Sequence, residues 1–236
     1  MGRILLPVLA AATLTVALAA APAGAAGVGT SGAATVALWH LDEQPGATVA
    51  VDSSGRGHDG AISADVLLGV PGQFGTAFEF PGPSAKITVP TSDDLNPYLA
   101  PLTVSAYLWV PSSLTGGDYN VLQKGQANAV GGAYKLEIVG TATSSKFGFP
   151  DCAFNSPGGA KNRVYGPKRI NDSTWHQVEC HLTDTQAYVT VDGKSGPVAI
   201  RVVGSIANSV AVTIGGKPND THFFQGRADE VSITIG

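Results

Sequence analysis

The sequence predicts an all-β domain built as a sandwich of stacked sheets, and three observations predict it. Short segments that alternate apolar and polar residues recur between turn signals along most of the chain. Thirty glycines and fifteen prolines are spread over 236 residues without a period, which marks frequent turns rather than a fibrous repeat. No stretch carries apolar residues at helical spacing for three turns.

The N-terminus reads differently. Arg3 is followed by the apolar run "ILLPVLAAATLTVALAA", and Ala23-Gly24-Ala25 fits a small-residue cleavage site. Residues 1–25 therefore read as an export signal. A membrane anchor is the competing reading, since the run approaches spanning length. Pro7 and Pro22 bracket the run and no basic cluster follows, so cleavage and a secreted product with no membrane attachment are expected. Residues 26–34 form a Gly-rich lead-in, and residues 35–236 form one domain. The lead-in spells G-x-G-x-x-G through Gly27, Gly29 and Gly32, but no strand precedes it and no helix follows, so a dinucleotide site is excluded.

From Thr35 the predicted strands are "TVALWHL", "ATVAVD", "AFEF", "AKITVP", "LTVSAYLWV", "NVLQKG", "AYKLEIV", "KFGFPDCAF", "RVYGP", "WHQVECHL", "AYVTVDG", "VAIRVV", "AVTIGG" and "RADEVSITI". Turn formers separate them, as in "DSSGRGHDG", "SSLTGGD" and "GKPNDT". "SDDLNPYL" supplies one short helical turn, capped by Ser92 or Asp93. In "LTVSAYLWV" Leu102, Val104, Ala106, Leu108 and Val110 make one apolar face, while Thr103, Ser105, Tyr107 and Trp109 make the other. That division suits a two-sheet sandwich with an accessible outer face. In "WHQVECHL" His176, Val178, Cys180 and Leu182 share a face, so His176 is expected to pack. His181 faces solvent. Asp192-Gly193 closes a hairpin.

Charge bounds the partners. A net charge of −4, with 14% charged residues and no like-charge run, leaves no basic patch for nucleic acid. In an exported chain the two cysteines, Cys152 and Cys180, most simply pair. A metal site would need CxxC-type spacing, and a catalytic thiol a Gly-rich or helix-start context; neither is present.

Together "VALWHLDE", "DSSGRGHDG", "FGTAFEFPG", "ITVPTSDDL", "LTVSAYLWV", "WHQVECHL", "AYVTVDGK", "VTIGGK" and "FFQGRADEVSI" resemble, in that order, the laminin-G-like branch of the concanavalin A-like lectin/glucanase superfamily. The resemblance covers about residues 35–235. It implies a jelly-roll sandwich of two curved antiparallel sheets. It also implies a non-catalytic secreted binding or adhesion module, with an extracellular glycan or cell-surface polymer as partner. A divergent polysaccharide-degrading enzyme and a ligand-free surface protein are the alternatives.

Glucanases of that superfamily carry E-x-D-x-x-E on one strand. None of Glu43, Glu79, Glu137, Glu179 and Glu230 begins that pattern, and no catalytic residue is assigned. His40, Asp42 and Glu43 in "WHLDE" read as a strand end entering a turn. The resemblance implies a structural calcium held by Asp52, Asp229 and a backbone carbonyl at His58, since hard calcium takes carboxylate and carbonyl oxygens. The alternative is that Asp52 caps its own turn and Asp229 pairs with Arg56 or Arg227. Tyr107 and Trp109 are candidates for stacking on a sugar ring, with Lys124 and Lys135 adding polar reach, against simple packing under loops.

Overall fold

The computed structural model describes residues 1–2, 32–117, 119–126 and 130–236. The predicted export signal falls almost wholly on residues 3–25, outside the described residues. From residue 32 onward the chain forms seventeen strands among the described residues. In chain order the first are β1 (Ala34–Trp39), β2 (Val49–Ala50), β3 (Gly60–Ile62), β4 (Leu67–Pro71), β5 (Thr76–Phe80) and β6 (Ile87–Val89). A 3-10 turn, Asp93–Leu95, leads to β7 (Leu102–Trp109), β8 (Tyr119–Gly125), β9 (Ala133–Ile138), β10 (Pro150–Asn155) and β11 (Lys161–Tyr165). The rest are β12 (Trp175–Leu182), β13 (Gln186–Val191), β14 (Lys194–Ser195), β15 (Ala199–Ile200), β16 (Val212–Ile214) and β17 (Gly226–Ile235).

These strands build two antiparallel sheets. The first runs β14-β13-β12-β7-β17-β5-β4, with β1 beside β17 and β15 beside β13. The second runs β11-β10-β9-β8-β16-β6-β3-β2. Strand alternation decides what each presents to the other. On β7 the inward residues are Leu102, Val104, Ala106 and Leu108, and on β12 His176, Val178, Cys180 and Leu182, all buried. Trp39, Phe78, Phe80, Tyr134, Phe154 and Phe224 complete the core between the sheets. The all-β sandwich expected from the alternation is the architecture found.

Cys152 on β10 and Cys180 on β12 form the expected disulfide, with Cα atoms 5.7 Å apart. The two strands belong to different sheets, so the bond crosses the core and ties one layer to the other. His176 is buried and satisfied: Nδ1 meets Asp192 at 2.9 Å and Nε2 meets Asp172 at 3.1 Å. The hairpin turn places Asp192 and Gly193 at φ 51° and 72°, the left-handed pair that an Asp-Gly turn accepts.

Several expectations change. "KFGFPDCAF" becomes a strand only from Pro150, because Lys146–Phe149 folds as a turn with Gly148 at φ 77°. In "VAIRVV" only Ala199–Ile200 pairs with β13, and the Asn162 side chain binds the Ile200 carbonyl and the Val202 N–H beyond it. Lys124 does not extend the Tyr107–Trp109 face. It lies on the other sheet, wholly buried, and its ammonium donates to Thr91 Oγ1 and the carbonyls of Asn208 and Val210. Burial lowers its pKa to about 8. Lys135 is also on that second sheet, facing outward. The 3-10 turn forms with Ser92 at its N-cap, but the Ser92 hydroxyl binds Asp94 rather than a backbone N–H.

Closing a loop of 28 residues with a disulfide stabilises by about 3 kcal/mol on the chain-entropy account. A Cys152→Ser, Cys180→Ser variant is therefore expected to lose about that much, measured by chemical denaturation against the oxidised parent. Equal midpoints with equal slopes would show that the staple contributes nothing.

Candidate functional site on the outer face of the second sheet

Register places the outward residues of the second sheet in rows. Opposite Thr213 on β16 stands Gln123 on β8, opposite Gln123 stands Lys135 on β9, then Ala153 on β10 and Arg163 on β11. The neighbouring row carries Glu137, Asp151 and Tyr165. On the other side lie Ala133, Asn155 and Lys161. Cations thus occupy one row and acids the next. Ala153, the smallest outward side chain between Lys135 and Arg163, leaves both cations room to bend over the acids.

The acids are submerged. The Glu137 side chain is 2% exposed and that of Asp151 0%. Arg163 bridges them: Nη2 lies 3.0 Å from Glu137 Oε1 and also pairs with Asp151 Oδ2, which accepts Nε at 2.8 Å. Lys135, two residues along the same strand, pairs with Glu137 Oε2. Burial pushes the Asp151 carboxyl up to about 7, the adjacent charge of Glu137 adds to this, and Arg163 opposes it. Burial acts on Glu137 in the same direction, but Lys135 and Arg163 outweigh it and hold that carboxyl below its ordinary value. The pair therefore keeps one proton to near neutrality, on Asp151.

A cleft of about 200 Å³ opens beside this bed, lined by Gln123, Gln126, Ala133, Lys135, Asn155, Lys217 and Asn219. Its floor is Gln123, 4% exposed, whose Nε2 donates to the Gly125 carbonyl at 2.6 Å while Oε1 has no protein partner. Two other buried oxygens without a partner, Asn120 Oδ1 and Asp151 Oδ1, belong to the same sheet. Such groups cost about 1–3 kcal/mol each, so folds retain few of them.

The residues singled out in the sequence lie elsewhere. Asp52 serves its own turn. Oδ1 accepts the N–H groups of Leu38 and Ser54; Oδ2 accepts the N–H of His58 and the Ser54 hydroxyl. Burial opposes this, yet these bonds lower the Asp52 pKa to about 2. The His58 carbonyl accepts the Trp39 indole N–H at 2.8 Å. Asp229 is buried on β17 and accepts the Phe74 N–H through Oδ2, with Oδ1 unpartnered. Burial, then the charges of Glu230 and Asp42, raise it to about 6. Among the described residues no three His, Cys, Asp or Glu side chains are gathered to hold a metal. The oxygens of Asp52 and His58 are already filled by donors, which is a poor fit to a cation. Arg56 and Arg227 do not pair with Asp229; they meet Asp94 and Glu79.

Tyr107 and Trp109 are on the outer face of the first sheet. The Phe74 ring meets Tyr107 edge-on at 5.2 Å, and the Arg227 guanidinium lies 4.9 Å from the Trp109 ring centre. Both aromatic rings thus have protein partners. Glu137 and Asp151 were missed as a pair because they are 14 positions apart and meet only through strand register. The available signal was alternation, which puts Lys135 and Glu137 on one face and Asp151 opposite to Cys152.

Comparison with known proteins gives the family. The laminin-G-type profile, described as concanavalin A-like lectin/glucanases superfamily, matches residues 81–234. The chain belongs to this superfamily. No curated protein matches the sequence. Among solved structures, this lectin/glucanase-type jelly roll is similar to the binding domain of Paraclostridial Mosquitocidal Protein 1, with TM-score 0.65 and 14% identity over 85% of this chain and 48% of that one. It is equally similar to the botulinum neurotoxin serotype D binding domain, at 0.65 and 12% over 85% and 47%. The same domain has been solved in complex with N-acetylneuraminic acid, with the same similarity and coverage. The chain spans about half the length of each, and at these identities the likeness is one of fold.

The proton on Asp151 has a measurable consequence. Its pKa is raised on folding, so its contribution is full below about pH 4 and is lost as pH rises through about 7. The lowered Glu137 works in the opposite sense, contributing above about pH 4.5 and losing that on acidification. Melting temperature is therefore expected to fall between about pH 5.5 and about pH 8.5, and Asp151→Asn to flatten that decline. A parallel decline in both proteins would refute the shared proton.

Proposed function

We propose that this protein is a secreted, non-catalytic binding module that takes a hydroxyl-rich glycan in the cleft over Gln123. The observation that carries the reading is the Gln123 side chain, buried at the floor of a cleft with one oxygen unpartnered. A folded chain keeps an unsatisfied buried acceptor at a cost, and a ligand hydroxyl or amide N–H supplies the missing donor. Gln126, Asn155 and Asn219 surround it with both donors and acceptors, the mixture that sugar hydroxyls require. Fold likeness to toxin binding domains, one of them solved with a sialic acid, supports a binding role. The apolar N-terminal run and the disulfide support export.

One observation favours hydrolysis as a second reading: a carboxylate pair whose pKa values are pushed apart is what acid–base catalysis uses. Against it, both carboxyls lie under Arg163 and Lys135, where a glycosidic oxygen has no path to them. Reducing-end release from a polysaccharide panel, compared with Glu137→Gln, separates the two readings; release that depends on Glu137 would replace the binding module with an enzyme.

The binding reading makes a paired prediction. Gln123→Met keeps the volume and removes the orphaned acceptor, so thermal stability is expected to hold or rise. Glycan affinity, measured by array and titration calorimetry, is expected to fall about tenfold or more. Unchanged affinity would remove Gln123 from the site.

A further inference from the structure

We infer that the rim strand β15 and the residues flanking it dock onto an anionic lipid bilayer, with Val198, Ile200 and Val202 entering the headgroup layer and a band of cations meeting the phosphates. The contact is peripheral and made by the folded sandwich, so it differs from the spanning anchor weighed for residues 1–25. It is also independent of the cleft over Gln123.

The first observation is an inverted alternation. In "PVAIRVV" the aliphatic side chains turn to solvent: Val198, Ile200 and Val202 are each more than half exposed, and Ile200 is 80% exposed. The polar residue among them turns back. Arg201 donates from Nε to the Val203 carbonyl at 3.1 Å and from Nη1 to the Thr183 carbonyl at 2.9 Å, while Nη2 is shut away from water without a partner. Ala199 packs against the core and Val203 is buried. A strand at a wetted rim gains from the opposite arrangement. Single exposed aliphatics are ordinary, but three on alternate positions of one strand make a stripe about 13 Å long.

The second observation says what covers the stripe. Between Asp151 and Asp172 the chain carries Lys161, Arg163, Lys168 and Arg169 and no acid. This segment runs alongside the stripe. The Asn162 side chain donates to the Ile200 carbonyl at 2.8 Å and accepts the Val202 N–H at 2.9 Å, and Gly196 lies against the Tyr165 carbonyl. Arg163 is spent on Glu137 and Asp151, and Lys168 on Asp192. Lys161, Arg169 and, on β14, Lys194 are exposed and enter no ion pair among the described residues. Asp184, in the turn before β13, is an exposed acid at one end, so cations prevail around the stripe.

A second copy of the chain would bring these like charges together, and so short a stripe falls well below the about 800 Å² per partner of a stable protein interface. Strand addition by a peptide is closed off, because Asn162 already holds the Ile200 carbonyl and the Val202 N–H. A bilayer asks for less. It takes a few aliphatic side chains at the acyl boundary and cations at the level of the phosphates, each cation worth about fivefold in affinity.

Every strand and core residue among the described residues lies at or beyond residue 34, so the sandwich 32–236 is tested without the apolar N-terminal run. Its sedimentation with vesicles of phosphatidylcholine alone is compared with that on vesicles containing one third phosphatidylglycerol. We expect the anionic vesicles to bind at least tenfold tighter, and about 0.5 M salt to close the gap. Ile200→Gln is expected to weaken anionic binding about tenfold, and Lys161→Glu with Lys194→Glu by at least as much. Melting temperatures are expected to hold, since all three side chains are exposed. Weak and equal binding to both vesicle types, or anionic binding that Ile200→Gln leaves intact, would overturn the inference. So would dimerisation that Ile200→Gln abolishes in a chain that ignores vesicles, an outcome that assigns the stripe to a second copy.

Discussion

The arrangement depends on one constraint: Cys152 must point inward. Its sulfur crosses the core to Cys180 on the opposite sheet, and in a strand the neighbours of an inward residue point outward. Asp151 and Ala153 are thereby fixed on the outer face. Register with β9 then sets Asp151 against Glu137, and Ala153 against Lys135. Slipping this strand by one residue would put a carboxylate in the core and break the covalent link, so the sandwich core and the charged bed stand or fall together.

The bed has a second property that burial alone would not supply. Four ionisable side chains lie on neighbouring outward positions, two of them with almost no contact with water. Two buried carboxylates with two cations would be neutral if all ionised, and desolvation of four charges is costly. Retaining one proton to near neutrality reduces that cost. Gln123, Asn120 and Asp151 each keep one unpartnered side-chain oxygen on this sheet, at a cost to stability.

Much of the fold was legible in the sequence, because alternation, turn chemistry and cysteine pairing are local or nearly so. The apolar face of "LTVSAYLWV", the Asp192-Gly193 turn and the buried His176 needed no knowledge of neighbours. The cleft was not legible for the opposite reason. Its parts come from "LQKGQ", "AYKLEI", "DCAFN" and "GKPND", and only the order of strands in the second sheet joins them. Lys124 shows the same limit. Alternation alone cannot say which side of "NVLQKG" faces the core, and buried carbonyls at Asn208 and Val210 draw the ammonium inward. The Asx bond from Ser54 N–H to Asp52 is contained within three residues, so the sequence already offers self-capping as one of two readings of Asp52.

The first and last strands lie side by side, with Ala34 opposite Ile235. Both ends of the β-sandwich therefore leave from one place on its rim. A short Gly-Ser bridge would join them, and new ends could be opened at a distant exposed turn such as Asp192-Gly193 with the layers intact. The same geometry lets the sandwich be spliced into a surface loop of a host protein as a self-contained insert, displacing the host backbone by little more than the width of two neighbouring strands.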